Sequence, residues 1–287
     1  MVEKKYTLGW LIRNIVLWLV VVIMIFPLLH MVSVSLSDNV NVLRNTITFW
    51  PKGFSLAAYK FILTKPLIYN AYKNTIIYTV TGTLAALFIL TTGAYALSKK
   101  RCPFGKPINI LIMITMFFNG GMIPTYLAVK WLGLLDTLWA IILPGAFTAW
   151  NAIIMRSFFA SYPEEIEESG RLDGLNDIGV LWYLVLPTST AVMATIGLFV
   201  AVGLWNNFFG PLIYLSDEAK YPLQIVLRQL IMQSIADGME TSGPSTEIAE
   251  NSIKYATILV SIIPIIAVYP WLQKYFVKGV MIGSIKG

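Results

Sequence analysis

Asn14–Ser37 reads NIVLWLVVVIMIFPLLHMVSVSLS, and no formally charged side chain interrupts it. At about 1.5 Å of rise per residue, a helix of this length covers the ~30 Å hydrocarbon core of a bilayer. The pattern recurs over Asn74–Ser98, Pro107–Val129, Thr137–Met155, Ile178–Ser216 and Tyr255–Gln273. A large soluble protein hides one such helix; six in a row point to a membrane bundle. Hydrophobic residues make up 57% of the 287 and charged ones 13%, against about 25% charged in soluble domains. Lipid offers no hydrogen-bond partner, so only helices or closed barrels span it. Barrel strands run about ten residues with strict alternation, whereas these runs are longer and apolar on every side. The expected fold is therefore all-α and integral to the membrane, one domain over 1–287. Its six transmembrane helices fall near 10–36, 71–98, 108–129, 138–159, 181–208 and 252–276.

Lys4 and Lys5 ahead of an apolar run imitate a secretory signal. The run exceeds a typical signal core and offers no small-residue cleavage site, so the reading is a retained helix. Cys102 is the only cysteine, which leaves no intrachain disulfide framework. On a six-span layout Lys99, Lys100, Arg101 and Lys106 share one side with Arg156, Arg171, Lys274 and Lys278, whereas the Lys130–Asp136 turn is nearly neutral. The positive-inside bias places the basic side, both termini and the segment 161–180 in the cytoplasm, and 211–251 outside it. That bias accounts for the +6 net charge without nucleic acid. Breakers mark several spans: Pro27 in the first, NGGMIP (Asn119–Pro124) near the outer end of the third, Pro144-Gly145 in the fourth, Pro187 in the fifth, Pro264 and Pro270 in the sixth. A short interfacial helix is expected around Tyr59–Leu63.

Against this background PEEIEESGRLDG, Pro163–Gly174, stands out. Six of the fifteen acidic residues lie between Glu164 and Asp177. Ser161 and Glu164 fit a capping box, with Pro163 in the first turn, and Glu164 and Glu165 suit the positive end of a helix dipole. Gly174 fits a positive-φ turn, and Asn176 or Asp177 can cap the next helix. Local chemistry leaves two readings: a solvated linker, or a rigid acidic element that docks on a basic groove.

The residues Glu168-Ser169-Gly170, then Asp173-Gly174, then nine positions and Leu184-Val185-Leu186-Pro187, resemble the EAA loop of bacterial ABC importer permeases. That loop reads E-A-A, three residues, G, nine residues, I-x-L-P. Ser169 and Gly170 depart from its alanines and Leu184 from its isoleucine. Gly279–Gly287, GVMIGSIKG, is similar to the G-L-T-x-G-x-V-K-G terminus of maltose-type permeases, and Trp205–Phe209 followed by Pro211-Leu212-Ile213 looks like their oligosaccharide branch, in a subgroup serving complex and uronate-rich chains.

This resemblance implies a transport subunit rather than an enzyme. A separate ATPase would bind ATP and Mg, leaving this chain without cofactor, metal or catalytic residue. Glu164, Glu165, Glu167, Glu168, Ser169, Gly170, Arg171, Asp173, Gly174 and Pro187 would form the ATPase-coupling loop, with Glu168 the main charged contact, Arg171 bracing the carboxylates, and Lys286 and Gly287 reaching the same interface. The implied partners are a homologous permease in a heterodimer, two ATPase subunits, an extracytoplasmic solute-binding protein contacting 211–251, and an oligosaccharide, all at the bacterial inner membrane. A flexible connector is the other reading of 211–251.

Residue chemistry adds its own limits. No G-x-x-x-x-G-K-[ST] occurs, so the chain has no P-loop. Mid-span Asp, Glu, Lys and Arg are absent, which disfavours an ion-coupled carrier; one histidine, His30, near the outer end of the first span, reads as interfacial. A permease for a non-sugar solute is the closer alternative. Trp205, Asn206, Asn207 and Phe208, with Asn119 and Tyr126, supply the aromatic faces and amides that hold sugars. They equally fit an aromatic belt and helix-to-helix amide bonds.

Overall fold

The computed structural model describes residues 8–240 and 250–283, and among these every regular element is helical. In chain order they are α1 (Leu8–Ser35), α2 (Asn39–Leu43), α3 (Ala57–Leu63), α4 (Pro66–Ser98), α5 (Gly105–Phe117), α6 (Met122–Trp131), α7 (Leu138–Ala146), α8 (Ala149–Ala160) and α9 (Glu164–Leu172). Then follow α10 (Asp177–Gly179), a π-helical turn Val180–Val185, α11 (Leu186–Thr188), α12 (Thr190–Trp205), α13 (Phe209–Tyr214), a 3-10 turn Glu218–Lys220, α14 (Leu223–Glu240) and α15 (Glu250–Gly283).

Several of the apolar runs form as interrupted or bent helices. Among the described residues three helices are long and apolar enough to cross a membrane unaided: Gly9–Ser35, Pro66–Ser98 and Asn251–Val268. The fourth and fifth expected spans are bent pairs, α7 with α8 at 54° and Asp177–Thr188 with α12 at 85°. The third, expected over 108–129, is divided into α5 and α6. The break lies where NGGMIP sits: Gly121 takes φ +85°, and the Asn119 side-chain oxygen accepts from the Gly121 N–H at 2.9 Å. At 13 residues, α5 rises about 20 Å, short of the hydrocarbon core. The segment 211–251, read from sequence as a loop, carries α13 and α14.

Pro187 explains part of the sharper bend. It has no N–H to return to the Tyr183 carbonyl one turn back, which weakens the helix at that point. The carbonyls of Leu184 and Val185, beside the proline, bond side-chain hydroxyls. The Tyr162 hydroxyl donates to the Leu184 carbonyl at 3.3 Å, Thr188 to Leu184 at 3.0 Å and Val185 at 2.9 Å, and Ser189 to Val185 at 2.6 Å. The turn widens to π geometry just ahead of the proline, a distortion often tied to function.

The chain divides into two compact units, at Tyr69/Asn70, Ile225/Val226 and Ile263/Pro264. In the first, α1 continues through Pro27, and its side chains from Leu11 to Leu29 are largely exposed, as a lipid-facing helix requires. Its end is pinned by the following loop. Ser33 donates to the Phe49 carbonyl at 2.6 Å, the Lys52 N–H donates to the Ser37 hydroxyl at 3.0 Å, and His30 Nδ1 lies 3.0 Å from the Thr48 carbonyl. Gly53 is required here: at φ +65° a Cβ would lie 2.4 Å from the Asp38 carboxylate.

In the second unit α4 is the central post. Ala86, Leu90, Ala94 and Tyr95 of α4 pack with Ile142 and Ala146 of α7, Ala152, Met155 and Phe159 of α8, Val180 and Val185 of the π turn, and Val192 and Ile196 of α12. The alanines let helices approach closely, the usual means of association where lipid removes the hydrophobic drive.

Candidate functional site

At the C-terminal end of α4 the acidic stretch folds as α9. Pro163 takes the cap position at φ −59° and ψ 124°, without a side-chain cap bond. The expected capping box does not form, because Ser161 closes α8 instead and its hydroxyl donates back to the Phe158 carbonyl at 2.8 Å. Acid in the first turn and Arg171 in the last match the helix dipole at both ends. The C-terminus is a Schellman turn: the Leu175 N–H reaches the Gly170 carbonyl at 2.9 Å, the Gly174 N–H reaches Arg171 at 3.0 Å, and Gly174 sits at φ +89°. Asn176 then caps the next helix by accepting from the Gly179 N–H at 2.8 Å, which leaves Asp177 free for other partners.

One carboxylate differs from the rest. Glu167, one of the residues that the resemblance assigns to the coupling loop, is 2% exposed. It bonds Lys99, from the turn ending α4, and Arg171 at 3.3 Å. Lys99 also lies over the Tyr95 ring, 4.4 Å from its centroid, a favourable cation–π position. Arg171 continues to Asp177 at 3.6 Å, and Asp177 bonds Arg101. Five alternating charges thus link α4, α9 and the start of α10. The Arg101–Asp177 end fronts an open cleft of about 560 Å³ and stays half-solvated, so the buried Glu167 carries most of the energetic weight.

With Glu167 turned inward, Glu164, Glu165, Glu168, Ser169 and Asp173 point outward. Leu172 joins them at 89% exposed, an apolar knob among carboxylates. Two of these roles were not legible in sequence. The Glu167/Arg171 spacing of four residues signals a pair, but nothing local announces that Lys99, 68 residues away, completes it. Leu172 reads as a core position by type.

Gly170 and Leu184, both departures from the EAA pattern, meet in space. A Cβ on Gly170 would lie 2.5 Å from Leu184 Cδ1 and 3.4 Å from Leu175 Cδ1. The longer leucine thus occupies the place an alanine methyl would take. Gly170→Ala is expected to stay within about 1 kcal/mol of the parent, since gained helix propensity offsets the shift of a flexible δ-methyl. Gly170→Val should cost about 2 kcal/mol by overpacking, read as a lower melting temperature of the purified protein in detergent.

The expected sugar-contacting residues each have contacts of their own. Trp205 is 8% exposed beside Tyr72, its ring centroid 6.4 Å away. Asn206 donates to the Val202 carbonyl at 3.0 Å, and Asn207 accepts from the Gly210 N–H at 3.2 Å. Phe208 packs edge-on to Phe209, Tyr126 stacks on Tyr214 at 6.3 Å, and Asn119 is held in its own turn. Three of the amides are therefore engaged with local backbone in this conformation. Lys286 and Gly287 lie outside the described residues.

Around the N-terminal half of α4 a second polar knot forms. Lys220 binds the Asp136 carboxylate at 2.6 Å, and the N–H groups of Ser216 and Asp217 reach the same carboxylate at 3.0 and 3.1 Å. Tyr78 donates to the Lys220 carbonyl at 2.8 Å and Asn74 to that of Ala219 at 2.8 Å. The Lys220 bond and the two N–H groups hold the Asp136 carboxyl down to about 2. A depressed carboxyl contributes stability above its ordinary value near 3.8, lost as pH falls toward 2. The knot is expected to stay closed from pH 5 to 8 and to loosen between about pH 4 and 2. Hydrogen-exchange protection of the Ser216 and Asp217 amides, relative to the intrinsic rate at each pH, checks it across that range, and Asp136→Asn should remove the dependence.

The described residues thus make a bundle of apolar helices, some broken, carrying one acidic helix braced at the end of a span. The chain belongs to the family of binding-protein-dependent transport system inner membrane components, whose pattern matches residues 6–282. It is similar to the protein LplC of Bacillus subtilis, 44% identical over 268 residues, covering 92% of this chain and 90% of that one. The polygalacturonan/rhamnogalacturonan transport system permease protein YtcP of the same organism is 41% identical over 267 residues, covering 92% and 93%. Among solved structures, a bacterial ABC transporter involved in the import of the acidic polysaccharide alginate superposes with a TM-score of 0.88. It shares 33% sequence identity, with 96% of this chain and 99% of that one covered.

Proposed function

We propose that this chain is one of two membrane subunits of an importer for acidic oligosaccharides, driven by a separate ATPase gripping α9. The basic loops, α9 and both termini lie on the cytoplasmic side in this reading, and the knot at Asp136 on the opposite side. The observation that carries it is the division of labour on α9. Glu167 ties the helix inward, while Glu164, Glu165, Glu168 and Leu172 remain outward, a charged rim around an apolar anchor of the kind interfaces use. Without a P-loop, the chain needs an external motor. ATP-driven closure of the motor then moves α9, and the bent fifth span turns with it.

The substrate class rests on a gradient among relatives. Those named for polygalacturonan or alginate share 41% and 33% identity with this chain, whereas those named for arabino-oligosaccharides and lactose share 26% and 25%. Vesicles holding the full importer and its solute-binding protein should take up oligogalacturonates or alginate oligomers with ATP, and neutral arabino-oligosaccharides at least about tenfold more slowly, a difference near 1.4 kcal/mol. Preferential uptake of the neutral sugars would overturn the substrate assignment.

A further inference from the structure

We infer that Lys99 and Glu167 form a strut through which the second span, α4, moves as one body with α9. The inference rests on the proposed ATPase docking of α9 and extends it to a helix that α9 does not adjoin in sequence. Chain connectivity alone joins α9 to α8 before it and to the fifth span after it. The ionic ring supplies a third attachment. Glu167 is buried and held from one side by Lys99 and from the other by Arg171.

Lys99 is fixed in turn by the Tyr95 ring of α4, so the contact is seated on the helix rather than on a loose turn. The Leu97 carbonyl at the same helix end accepts from Arg156 of α8 at 3.1 Å. Two cation-bearing contacts thus fasten the end of α4 to α8 and α9 at once. A buried ion pair of this kind resists sliding, because separation leaves a carboxylate in apolar surroundings. A displacement of α9 by the motor therefore reaches α4 directly, along with the spans that α9 connects. Lys99 is a positioning residue in this account.

The test uses the complete importer reconstituted in proteoliposomes, with sugar uptake and ATP hydrolysis measured on the same preparation. Lys99→Met leaves Glu167 paired with Arg171, so the subunit should assemble with its ATPase as before. Sugar imported per ATP is expected to fall about tenfold, while Lys99→Arg, which keeps a cation in reach, restores it. Unchanged import per ATP in Lys99→Met would overturn the strut. A second measurement guards against loss of fold: Lys99→Cys with Glu167→Cys in a Cys102→Ser background, joined by a short bifunctional thiol reagent. Transport that is higher in the joined form than in the unjoined one supports movement as one body; transport arrested by joining contradicts it. Failure of the docking reading itself shows differently, as ATPase that co-purifies equally well with Glu168→Lys.

Discussion

Replacing Glu168 with lysine is expected to abolish ATP-driven uptake while the permease still inserts and purifies. Glu168 is exposed on α9, so reversal of its charge removes no internal bond of the described chain. Its effect falls on a partner. Placing a cation where a basic groove expects a carboxylate costs about 3 kcal/mol, or roughly a hundredfold in affinity. Co-purification of the ATPase measures this directly. Leu172→Ala should weaken the same complex by about 1–2 kcal/mol through loss of the apolar anchor.

The second large effect is on the subunit itself. Glu167→Ala removes a carboxylate that is 3% exposed and leaves Lys99 and Arg171 facing each other. Loss of one partner from a buried pair costs about 3–5 kcal/mol. Lys99 and Arg171 retain some solvent, which lowers the figure to about 2–3 kcal/mol. The purified variant should melt earlier than both the parent and Glu167→Gln, whose amide still accepts from Lys99. Equal melting of all three proteins would show that the pair contributes nothing to the fold.

Sequence reading and structure diverge for identifiable reasons. Apolar runs mark the membrane class because lipid demands long uninterrupted apolarity, and that signal is local. The bends are less legible. Pro187 announces a disturbance, but the 85° turn goes with hydroxyls of Tyr162, Thr188 and Ser189 that bond the Leu184 and Val185 carbonyls. Ser161 shows how local rules compete: the same hydroxyl suits a capping box for α9 or closure of α8, and packing selects the second. Gly174 and Asn176 read correctly because a positive-φ turn and a helix cap are settled within four residues.

The acidic loop was visible as a cluster and its division of labour was not. Six carboxylates look alike in a row, yet only Glu167 turns inward, toward a lysine on another helix. Gly170 and Leu184 look like independent departures from a motif until their contact shows that each makes room for the other. Asn206 and Asn207 look alike in sequence, yet one donates to and the other accepts from local backbone.

The central claim is that a cytoplasmic ATPase holds α9. A photo-crosslinking amino acid at Leu172 in the assembled importer, followed by mass spectrometry of the adduct, tests it most directly. The account predicts an adduct to the ATPase subunit that changes in yield when ATP is added. Adducts confined to the solute-binding protein, or labelling of position 172 by a membrane-impermeant reagent from outside the cell, would contradict it.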